Sequence, residues 1–356
     1  MLIGRSPVRI SFGGGGTDLP SYYEQFGGAV LSTSINKYFY TVLSARTDGR
    51  IQVISSDLRL FGNWNDLASL PGSGGLQIPV AVLKDLGSDV AADLFLASEI
   101  PPGTGLGSSA SVCVNLLKVL TTYLRRPLSK YDLAERAYGI TRHGLGRHVG
   151  KQDEYAAAFG CLNYIDFLCD GTTRVDPVLI DPTILAALQS NLMLFFTGAA
   201  HQSWDILADQ EKSTRLPSGA AIDALHEVKE AAALMREALR RGNLQHFGRL
   251  LDGAWQAKKR VSSKISNQRI DTLYALARAQ GATGGKITGA GGGGFLLLYA
   301  EPDCRARVRA AMQEEGLQEM AFLFDQQGAQ VIVSDPFIDQ DAGAGTLWTF
   351  LPLSAV

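Results

Sequence analysis

The first third of the chain alternates hydrophobic and polar residues with the period of a half-buried β-strand. Val8, Ile10 and Phe12 would lie on one face of a strand, with Arg9 and Ser11 on the other. The same pattern predicts further strands at 29–35, 38–44 and 50–55, with a hairpin turn at Asp48-Gly49 between the last two. We therefore expect an antiparallel sheet in this part of the chain.

Helical periodicity begins near Ser108 and continues to Pro127, and Ser129 with Asp132 forms a capping box for another helix. A turn-rich stretch at 170–181 indicates a domain boundary. Beyond it, the pattern predicts helices at 222–241, 244–259, 267–281 and after Pro302, and strands at 295–299 and 330–333. Because helices and strands interleave without a regular βαβ repeat, we predict an α+β protein of two lobes. Its predicted parts are domains at 1–180 and 181–340 and a peripheral tail at 341–356.

Composition and charge exclude several classes of protein. With 46% hydrophobic and 19% charged residues, the 356-residue chain can bury a core and is not of the disordered type. The formal net charge of −2 gives no support to a nucleic-acid binder or a polybasic membrane anchor. No apolar stretch approaches the about 18 residues of a membrane span, and the N-terminus has no signal-peptide core. We expect a cytoplasmic protein without nucleic-acid or membrane partners.

Metal-binding patterns are weak in this sequence. His143 and His148 have no partner at HxxxH or HExxH spacing, which argues against a zinc site. We predict free thiols, most of them buried, in a reducing compartment, because most of the cysteines have apolar neighbours. There are four cysteines, without CxxC spacing: Cys113, Cys161, Cys169 and Cys304.

The 39 glycines are more informative, because they cluster in three loops. In the second loop, PPGTGLGSSA at 101–110, two prolines fix the entry, the glycines remove side chains, and a helix starts at once. Free N–H groups at a helix N-terminus form an anion site that suits phosphate. The Ser109 hydroxyl could bind a phosphate oxygen or Mg²⁺, although an ordinary glycine loop with a serine N-cap has the same pattern.

Two standard nucleotide fingerprints do not fit. The pattern GxxxxGK[ST] is absent, since Gly285-Lys286 is followed by Ile287 instead of a hydroxyl residue. A GxGxxG occurs at 289–294, but it runs into a strand, whereas a dinucleotide site needs a strand before the loop and a helix after it. Rossmann-type binding is therefore disfavoured.

The first and third glycine loops are less specific on their own. In the first, GGGGTD at 13–18, Asp18 could hold sugar hydroxyls or cap the next helix. In the third, GGKITGAGGGG at 284–294, so many glycines before an apolar strand indicate close approach by a second backbone or a bulky ligand. Outside the loops, Asp153 lies in a charged stretch at 145–155, where it could be a catalytic base or a first-turn acid favoured by the helix dipole.

Taken together, SPVRISFGGGGTD, PPGTGLGSSA and KITGAGGGGF, in this order and spacing, resemble the three motifs of the GHMP small-molecule kinases. That family contains galactokinase, homoserine kinase and mevalonate kinase, and the resemblance covers about 5–333. Within it, GGAVLSTSINKY, GRHVGKQDEYAAAFG and SSKISNQRID are similar to the kinases of D-glycero-D-manno-heptose 7-phosphate. The resemblance implies ATP and Mg²⁺ as cofactors, a left-handed βαβ unit in the N-terminal lobe, a ferredoxin-like C-terminal lobe, and an active site between the lobes.

The resemblance also implies roles for individual residues. Asp153 would be the catalytic base, Arg9 its basic partner, and Ser109 a contact of Mg²⁺. The ATP phosphates would be held by Pro102, Gly103, Gly105, Leu106, Gly107, Ser108, Ser109 and Ala110. The substrate would be held by Gly14, Gly15, Gly16, Thr17, Asp18, Gly291 and Gly292.

Two positions depart from the family pattern. Relatives usually have a Mg²⁺-binding glutamate about twelve residues before the catalytic aspartate, where this chain has Thr141, so Mg²⁺ would depend on Ser109, the nucleotide phosphates and water. Glu154 stands where relatives generally have glutamine, and its charge could raise the pKa of Asp153.

The predicted reaction transfers phosphate from ATP to the anomeric hydroxyl of a sugar phosphate, with heptose 7-phosphate as the substrate that the resemblance implies. The substrate's phosphate needs a second anion site, for which we prefer Lys151 and Lys264 over Arg142, Arg147, Lys258, Lys259 and Arg260. Two alternatives stay open. One is another sugar 1-kinase, for an octose phosphate or a free hexose. The other is a non-catalytic sensor of ATP and sugar, which the missing carboxylate at position 141 favours; a homodimer is compatible with all of these.

Overall fold

A computed structural model describes residues 1–72, 74–87, 90–198, 203–214 and 219–334, which form two lobes, each with its own sheet. The predicted tail at 341–356 lies outside these residues. The first lobe contains β1 (Leu2–Gly13), α1 (Pro20–Phe26), β2 (Gly28–Ala45), β3 (Ile51–Ser55), β4 (Leu60–Trp64), α2 (Gln77–Leu86), β5 (Ala92–Ser98), α3 (Ser108–Tyr123), α4 (Lys130–Gly139), a π-helical turn (Ile140–Gly144), α5 (Gln152–Phe159), β6 (Leu162–Phe167) and β7 (Thr173–Pro177). There follow α6 (Pro182–Asn191), β8 (Leu192–Phe196), α7 (Ser203–Ser213), α8 (Ala220–Arg240), α9 (Leu244–Lys259), α10 (Gln268–Ala279), β9 (Ala282–Ile287), β10 (Phe295–Ala300), α11 (Pro302–Glu314), β11 (Gln318–Glu319) and β12 (Gln330–Ser334).

The long strand β2 is the centre of the N-terminal sheet. It pairs antiparallel with β1 along its length, and on its other edge with β5 in its C-terminal half and β6 in its N-terminal half. The sequence pattern predicted two strands here, at 29–35 and 38–44. The structure has one, because Asn36 and Lys37 between the two apolar runs stay extended and the pairing with β1 resumes beyond them.

The predicted hairpin at Asp48-Gly49 is wrong. β3 pairs antiparallel with β4 and parallel with β5, so β5 lies between β2 and β3. Arg46 ties the connection between β2 and β3 to β5, because its guanidinium forms salt bridges with Asp48 at 2.5 Å and with Asp93 of β5 at 2.6 Å. A turn dipeptide between two segments of alternating pattern does not reveal that β5, about forty residues later in the sequence, inserts between them.

The C-terminal lobe confirms the ferredoxin-like prediction. Its four strands are antiparallel and lie in the order β11-β8-β10-β9, which in chain order is fourth, first, third and second. The last strand, β12, does not join them. It pairs antiparallel with β1, with Ile3 opposite Val333, so the predicted second domain at 181–340 gives its final strand to the first lobe.

The two lobes share a continuous apolar core. Ile10 and Phe12 of β1 pack in one cluster with Leu194 of β8 and Leu297 of β10. The ring of Phe12 meets that of Phe247 on α9 edge-on, with centroids 5.3 Å apart. Burial of side chains of this size contributes about 1.5–3 kcal/mol each, so the cluster holds the lobes in a fixed relation.

Two further expectations concern thiols and membranes. In the described ranges all four cysteines are free, but only Cys113 is buried, while Cys169 is exposed. The prediction of mostly buried thiols is therefore wrong, since an apolar neighbour in sequence does not place a side chain in the core. Among the described helices, none combines the length and the apolar character needed to cross a membrane.

Candidate active site

A cleft of about 500 Å³ opens between the lobes. The first lobe contributes glycine-loop backbone, the start of α3 and the start of α5. The second lobe contributes Trp204, Leu207, Lys258, Gly289 and Ala290. This is the position at which the family resemblance implied an active site.

The second glycine loop ends at an open helix N-terminus. Gly107 precedes α3 with φ 77° and ψ 25°, a left-handed conformation that favours glycine, and no side chain of the described residues caps the helix there. Ser109 is exposed, and the first turn of α3 contains no acidic residue. The predicted phosphate-binding residues line the cleft at Pro102, Gly103, Gly105, Gly107, Ser108, Ser109 and Ala110.

Leu106 is the exception among these residues. Its side chain is fully buried, and its carbonyl accepts a hydrogen bond from the Arg9 backbone N–H at 2.9 Å. Leu106 therefore anchors the loop to β1. Among the described residues, it is not part of the cleft lining.

The third glycine loop packs directly on the second. A Cβ at Gly105 would lie 2.4 Å from the Thr288 carbonyl oxygen, and one at Gly289 would lie 2.6 Å from Gly105 Cα. Close approach by a second backbone is thus the reason for these glycines. Gly291 and Gly292, predicted to bind substrate, pack instead on Ile265, whose carbonyl accepts from the Gly292 N–H at 2.8 Å.

Arg9 and Asp153 meet at the second loop. Arg9 is 3% exposed, and its Nη2 and Nε lie 2.6 and 2.7 Å from Asp153 Oδ1, while its Nη1 donates to the Gly105 carbonyl at 2.7 Å. Asp153 lies in the first turn of α5, with its side chain 29% exposed. Its Oδ2 makes no hydrogen bond within the described chain and faces Gly107, where a Cβ would be 3.2 Å away.

The charge state of Asp153 follows from opposing effects. Burial raises the pKa of this carboxyl, the positive charge of Arg9 lowers it, and the negative charge of Asp18 raises it further. The arrangement gives one carboxylate a fixed oxygen, bound to arginine, and a second oxygen directed at the glycine loop.

Asp18 joins the first glycine loop to α5. Its Oδ1 accepts from the Gly16 N–H at 2.8 Å, and its Oδ2 accepts from the Gln152 N–H at 3.2 Å. It therefore caps α5 and not the helix that follows it, whose N-cap is Leu19. Asp18, Gly15 and Gly16 line the cleft.

Two predicted members of the first loop have a structural role. The Thr17 hydroxyl donates to the Gly14 carbonyl at 2.7 Å and accepts from the Ala29 N–H at 3.1 Å, which fastens the loop to β2. Among the described residues, neither Thr17 nor Gly14 belongs to the cleft lining.

The structure does not bring Lys151 and Lys264 to the cleft that the described residues form. Lys151 is 5% exposed, and its Nζ donates to Glu135 and to the Gly171 carbonyl, each at 2.8 Å. Lys264 lies at the surface and pairs with Asp209 at 3.0 Å. Both ammonium groups already have partners, which closeness to Asp153 in the sequence does not reveal.

A different lysine lines the cleft. Lys258 is 6% exposed, and its Nζ donates to the Gly15 carbonyl and to Gln210 Oε1, each at 2.8 Å. Burial lowers the pKa of Lys258 to about 8. The pattern could have singled it out, because it follows Leu251 and Ala254 by seven and four residues on the apolar face of α9.

Lys286 is a third buried lysine, after Lys151 and Lys258, and no sequence motif assigned it a role. It is 6% exposed, and burial lowers its pKa to about 7, with the positive charges of Lys258 and Arg9 acting in the same direction. Lys286 therefore lies close enough to Lys258 and to Arg9 for their positive charges to act on it.

Glu154 has surroundings unlike those of its neighbour Asp153. It is 2% exposed, and its Oε1 accepts from the Thr141 hydroxyl at 3.0 Å. Its Oε2 is buried and has no hydrogen-bond partner within the described chain, although Glu154 belongs to the cleft lining. Burial, reinforced by the charge of Asp153, raises the pKa of Glu154 well above its usual range.

Comparison with known proteins agrees with this geometry. The N-terminal domain of the GHMP kinases matches residues 77–161, and their C-terminal domain matches residues 235–318. The D-glycero-alpha-D-manno-heptose 7-phosphate kinase of Campylobacter jejuni is 31% identical over 331 residues, which are 92% of this chain and 97% of that protein. A crystal structure of D-glycero-D-manno-heptose 1-phosphate kinase from Bacteroides thetaiotaomicron, 28% identical, covers 94% of this chain and 100% of its own with a TM-score of 0.79.

More distant structures share the fold. Galactokinase from Lactococcus lactis, solved with galactose, is 20% identical and has a TM-score of 0.70 over 92% of this chain and 94% of its own. The three glycine loops, the two-lobed fold and the similarity along nearly the whole chain lead to one assignment: the chain belongs to the GHMP kinase family.

Proposed function

We propose that the chain is an ATP-dependent sugar kinase that phosphorylates the anomeric hydroxyl of a sugar phosphate. The substrate we propose is D-glycero-D-manno-heptose 7-phosphate, and the product is its 1,7-bisphosphate. One observation carries this proposal: Arg9 holds Asp153 against the glycine loop at the start of α3, inside the interlobe cleft. The names of the Campylobacter and Bacteroides relatives support the choice of a heptose phosphate.

The second glycine loop binds the triphosphate of ATP in this proposal. Phosphoryl transfer depends on positioning and on neutralising charge more than on covalent chemistry. The uncapped N–H groups of α3 and the positive end of its dipole supply both. Arg9, bonded to the Gly105 carbonyl, adds a full positive charge beside that loop.

Asp153 acts as the general base. The anomeric hydroxyl donates its proton to Asp153 Oδ2, the sugar oxygen forms its bond to the γ-phosphorus, and the bond from that phosphorus to the bridging oxygen of ADP breaks. Arg9 keeps Oδ1 occupied, and its positive charge favours the ionised carboxylate by opposing the rise in pKa that burial causes. General-base assistance of this kind is worth ~10²–10⁴ in rate.

Mg²⁺ is the metal that fits this lining. In the described ranges, no cluster of three or more His, Cys, Asp or Glu side chains forms a protein cage for a metal. Mg²⁺ suits such a site, because it keeps several waters and binds through substrate phosphates with one or two protein oxygens. The Ser109 hydroxyl, which lines the cleft at the start of α3, is such an oxygen, and the ion would neutralise charge on the phosphates.

Lys258 replaces Lys151 and Lys264 as the proposed contact of the sugar's own phosphate. It lines the cleft beside Gly15 and Gly16, and its hydrogen bonds within the described chain go to neutral oxygens. An anion entering here would therefore meet an ammonium that no carboxylate neutralises by direct contact.

The experiment that tests the function measures ADP release with heptose 7-phosphate, an octose phosphate, hexose phosphates and free hexoses. We expect the highest kcat/KM with the heptose phosphate. Preference for another sugar would move the assignment to another 1-kinase. ATP binding without ADP release for any sugar would support the non-catalytic sensor and refute the enzyme.

A further inference from the structure

We propose that Glu154 is a ligand of the Mg²⁺ that accompanies ATP, and that Thr141 orients it for that role. The inference rests on the proposed kinase function and deepens it, by assigning a carboxylate to a metal site that otherwise has one protein oxygen. It starts from the buried oxygen Oε2, which the rest of the described chain leaves without a partner.

The first step is the fixed geometry of the side chain. Thr141 lies in the π-helical turn, and its hydroxyl, with one proton to donate, lies 3.0 Å from Glu154 Oε1 and 3.0 Å from the Ala137 carbonyl oxygen. One carboxylate oxygen is therefore held and the other is left over. Partners of this kind orient metal ligands, and losing them commonly weakens metal binding.

The second step is the balance of charge. Asp153 and Glu154 are consecutive, and the negative charge of Asp153 adds to burial in disfavouring the ionised form of Glu154. Arg9 compensates Asp153, but no ion pair in the described chain reaches Glu154, and the nearby Lys151 is taken by Glu135. A buried carboxylate needs a positive partner, so this corner of the cleft lacks one cation.

The third step is the position of Glu154 relative to the phosphate site. Cys113 follows Ser109 by one helical turn on α3, and the negative charge of Glu154 acts on the Cys113 thiol, whose pKa burial and that charge both raise. Glu154 therefore faces the side of α3 that begins with Ser109. Both residues line the same cleft, so one cation could contact both.

Protonation is a weaker explanation of the same carboxyl group. A proton on Oε2 would find no acceptor in the described chain, and a proton on Oε1, donated to the Thr141 oxygen, would still leave the buried Oε2 without a donor. Mg²⁺ prefers carboxylate, hydroxyl and phosphate oxygens, which are the groups that would surround it here.

The test measures the affinity of Mn²⁺, as a spectroscopic substitute for Mg²⁺, for the complex of the full chain with the ATP analogue AMP-PNP. By electron paramagnetic resonance, we expect Glu154→Gln to weaken Mn²⁺ binding roughly 100-fold and Thr141→Val about 10-fold, in the range seen when ligands or their supports are lost. The affinity for metal-free AMP-PNP should stay unchanged or increase, because a negative charge is removed.

Two further variants control the result. Asp57→Asn removes another carboxylate of the same cleft, one that accepts from Ser55 at 2.7 Å, and should leave Mn²⁺ affinity unchanged. The double variant Thr141→Glu with Glu154→Gln moves the carboxylate to the contacting position, and should restore most of the affinity.

The outcomes separate the two proposals. If wild-type protein binds Mn²⁺ with AMP-PNP and E154Q binds it equally tightly, Glu154 is not a ligand, while the kinase function stands. Equal losses in D57N and E154Q would likewise overturn the inference, since general cleft charge would explain them. Wild-type protein that binds no Mn²⁺-nucleotide would overturn the proposed function and the inference together. If a thermal melt shows that E154Q does not fold, the Mn²⁺ affinity of T141V decides instead: a loss supports the inference, and an unchanged affinity overturns it.

Discussion

The two walls of the cleft carry opposite charges. The N-terminal wall contains four carboxylates, Asp18, Asp57, Asp153 and Glu154, and two arginines, Arg9 and Arg147, of which Arg9 pairs with Asp153. The C-terminal wall presents Lys258, a buried lysine whose hydrogen bonds in the described chain go to neutral oxygens. The difference indicates a division of labour, in which the first wall removes a proton and directs phosphate transfer while the second recognises an anionic substrate.

Replacing Asp153 with asparagine should give the largest effect. Without the carboxylate that takes the proton, kcat should fall ~10²–10⁴-fold, while the affinity for ATP changes little, because the glycine loop is intact. Stopped-flow nucleotide binding and steady-state ADP release would measure the two quantities. Asp57→Asn is the matched control and should keep kcat within a few-fold. Near-normal turnover of D153N would remove Asp153 from the mechanism.

The contact between the walls can be broken at Gly105. Alanine there would meet the Thr288 carbonyl at 2.4 Å and would sit at φ 80°, so the free energy of unfolding should fall by about 1–3 kcal/mol or more. Gly49 is the control, since it has a similar φ of 76° and no heavy atom of the described chain within 4 Å of an added Cβ. Urea unfolding of G105A and G49A would compare them, and equal losses would show that backbone strain alone matters.

Lys258→Met tests whether the C-terminal wall binds the substrate's phosphate. A charge-assisted hydrogen bond to the substrate's phosphate is worth about 1.5–3 kcal/mol, so KM for the sugar phosphate should rise at least about 10-fold. KM for the unphosphorylated sugar should change much less. Lys264→Met, at the surface and paired with Asp209, should alter neither value. An equal rise in KM for the phosphorylated and the unphosphorylated sugar in K258M would mean that Lys258 supports the first glycine loop and does not contact the substrate's phosphate.

The smallest predicted effect is the pH dependence that Lys286 contributes. Its pKa is about 7 in the folded protein and about 10.4 in an unfolded chain, so between these values the unfolded state holds more protons. The free energy of unfolding should therefore rise with pH across this window. Urea melts of the wild type and Lys286→Met at pH 7 and pH 9 should show a rise smaller by on the order of 1 kcal/mol in the variant. Identical rises would show that Lys286 keeps its proton throughout.

Much of the site was predictable because it is local in the sequence. A loop such as 101–110, followed at once by a helix, already determines a free N-terminus, and the structure places it on the cleft. Arg9 and Asp153 are 144 residues apart, and only the family resemblance linked them before their contact was seen. The ferredoxin-like order of the second sheet was likewise implied by resemblance and confirmed by the strand pairing.

What the sequence could not provide was the partner of each charge. Lys151 and Lys258 are both lysines near glycine-loop residues, but one is bound to Glu135 and the other lines the cleft. Glu154 was interpreted only as a neighbour that perturbs Asp153, because its contact with Thr141 and its unpaired oxygen depend on how α5 packs against the π-helical turn. The predicted hairpin between β2 and β3 was wrong for the same reason, since the pairing of β5 with both strands joins distant segments and leaves no local pattern.

The return of β12 to the first sheet has a consequence for how the molecule can be divided and made. The strand that carries Arg9 is flanked on one edge by a segment translated more than 300 residues later, so its sheet is complete only after the other lobe has been synthesised. A fragment cut after residue 180 would leave that edge unpaired and open to association with other chains. The nucleotide-binding half is thus not a separable module, and its maturation on the ribosome must wait for the last strand to arrive.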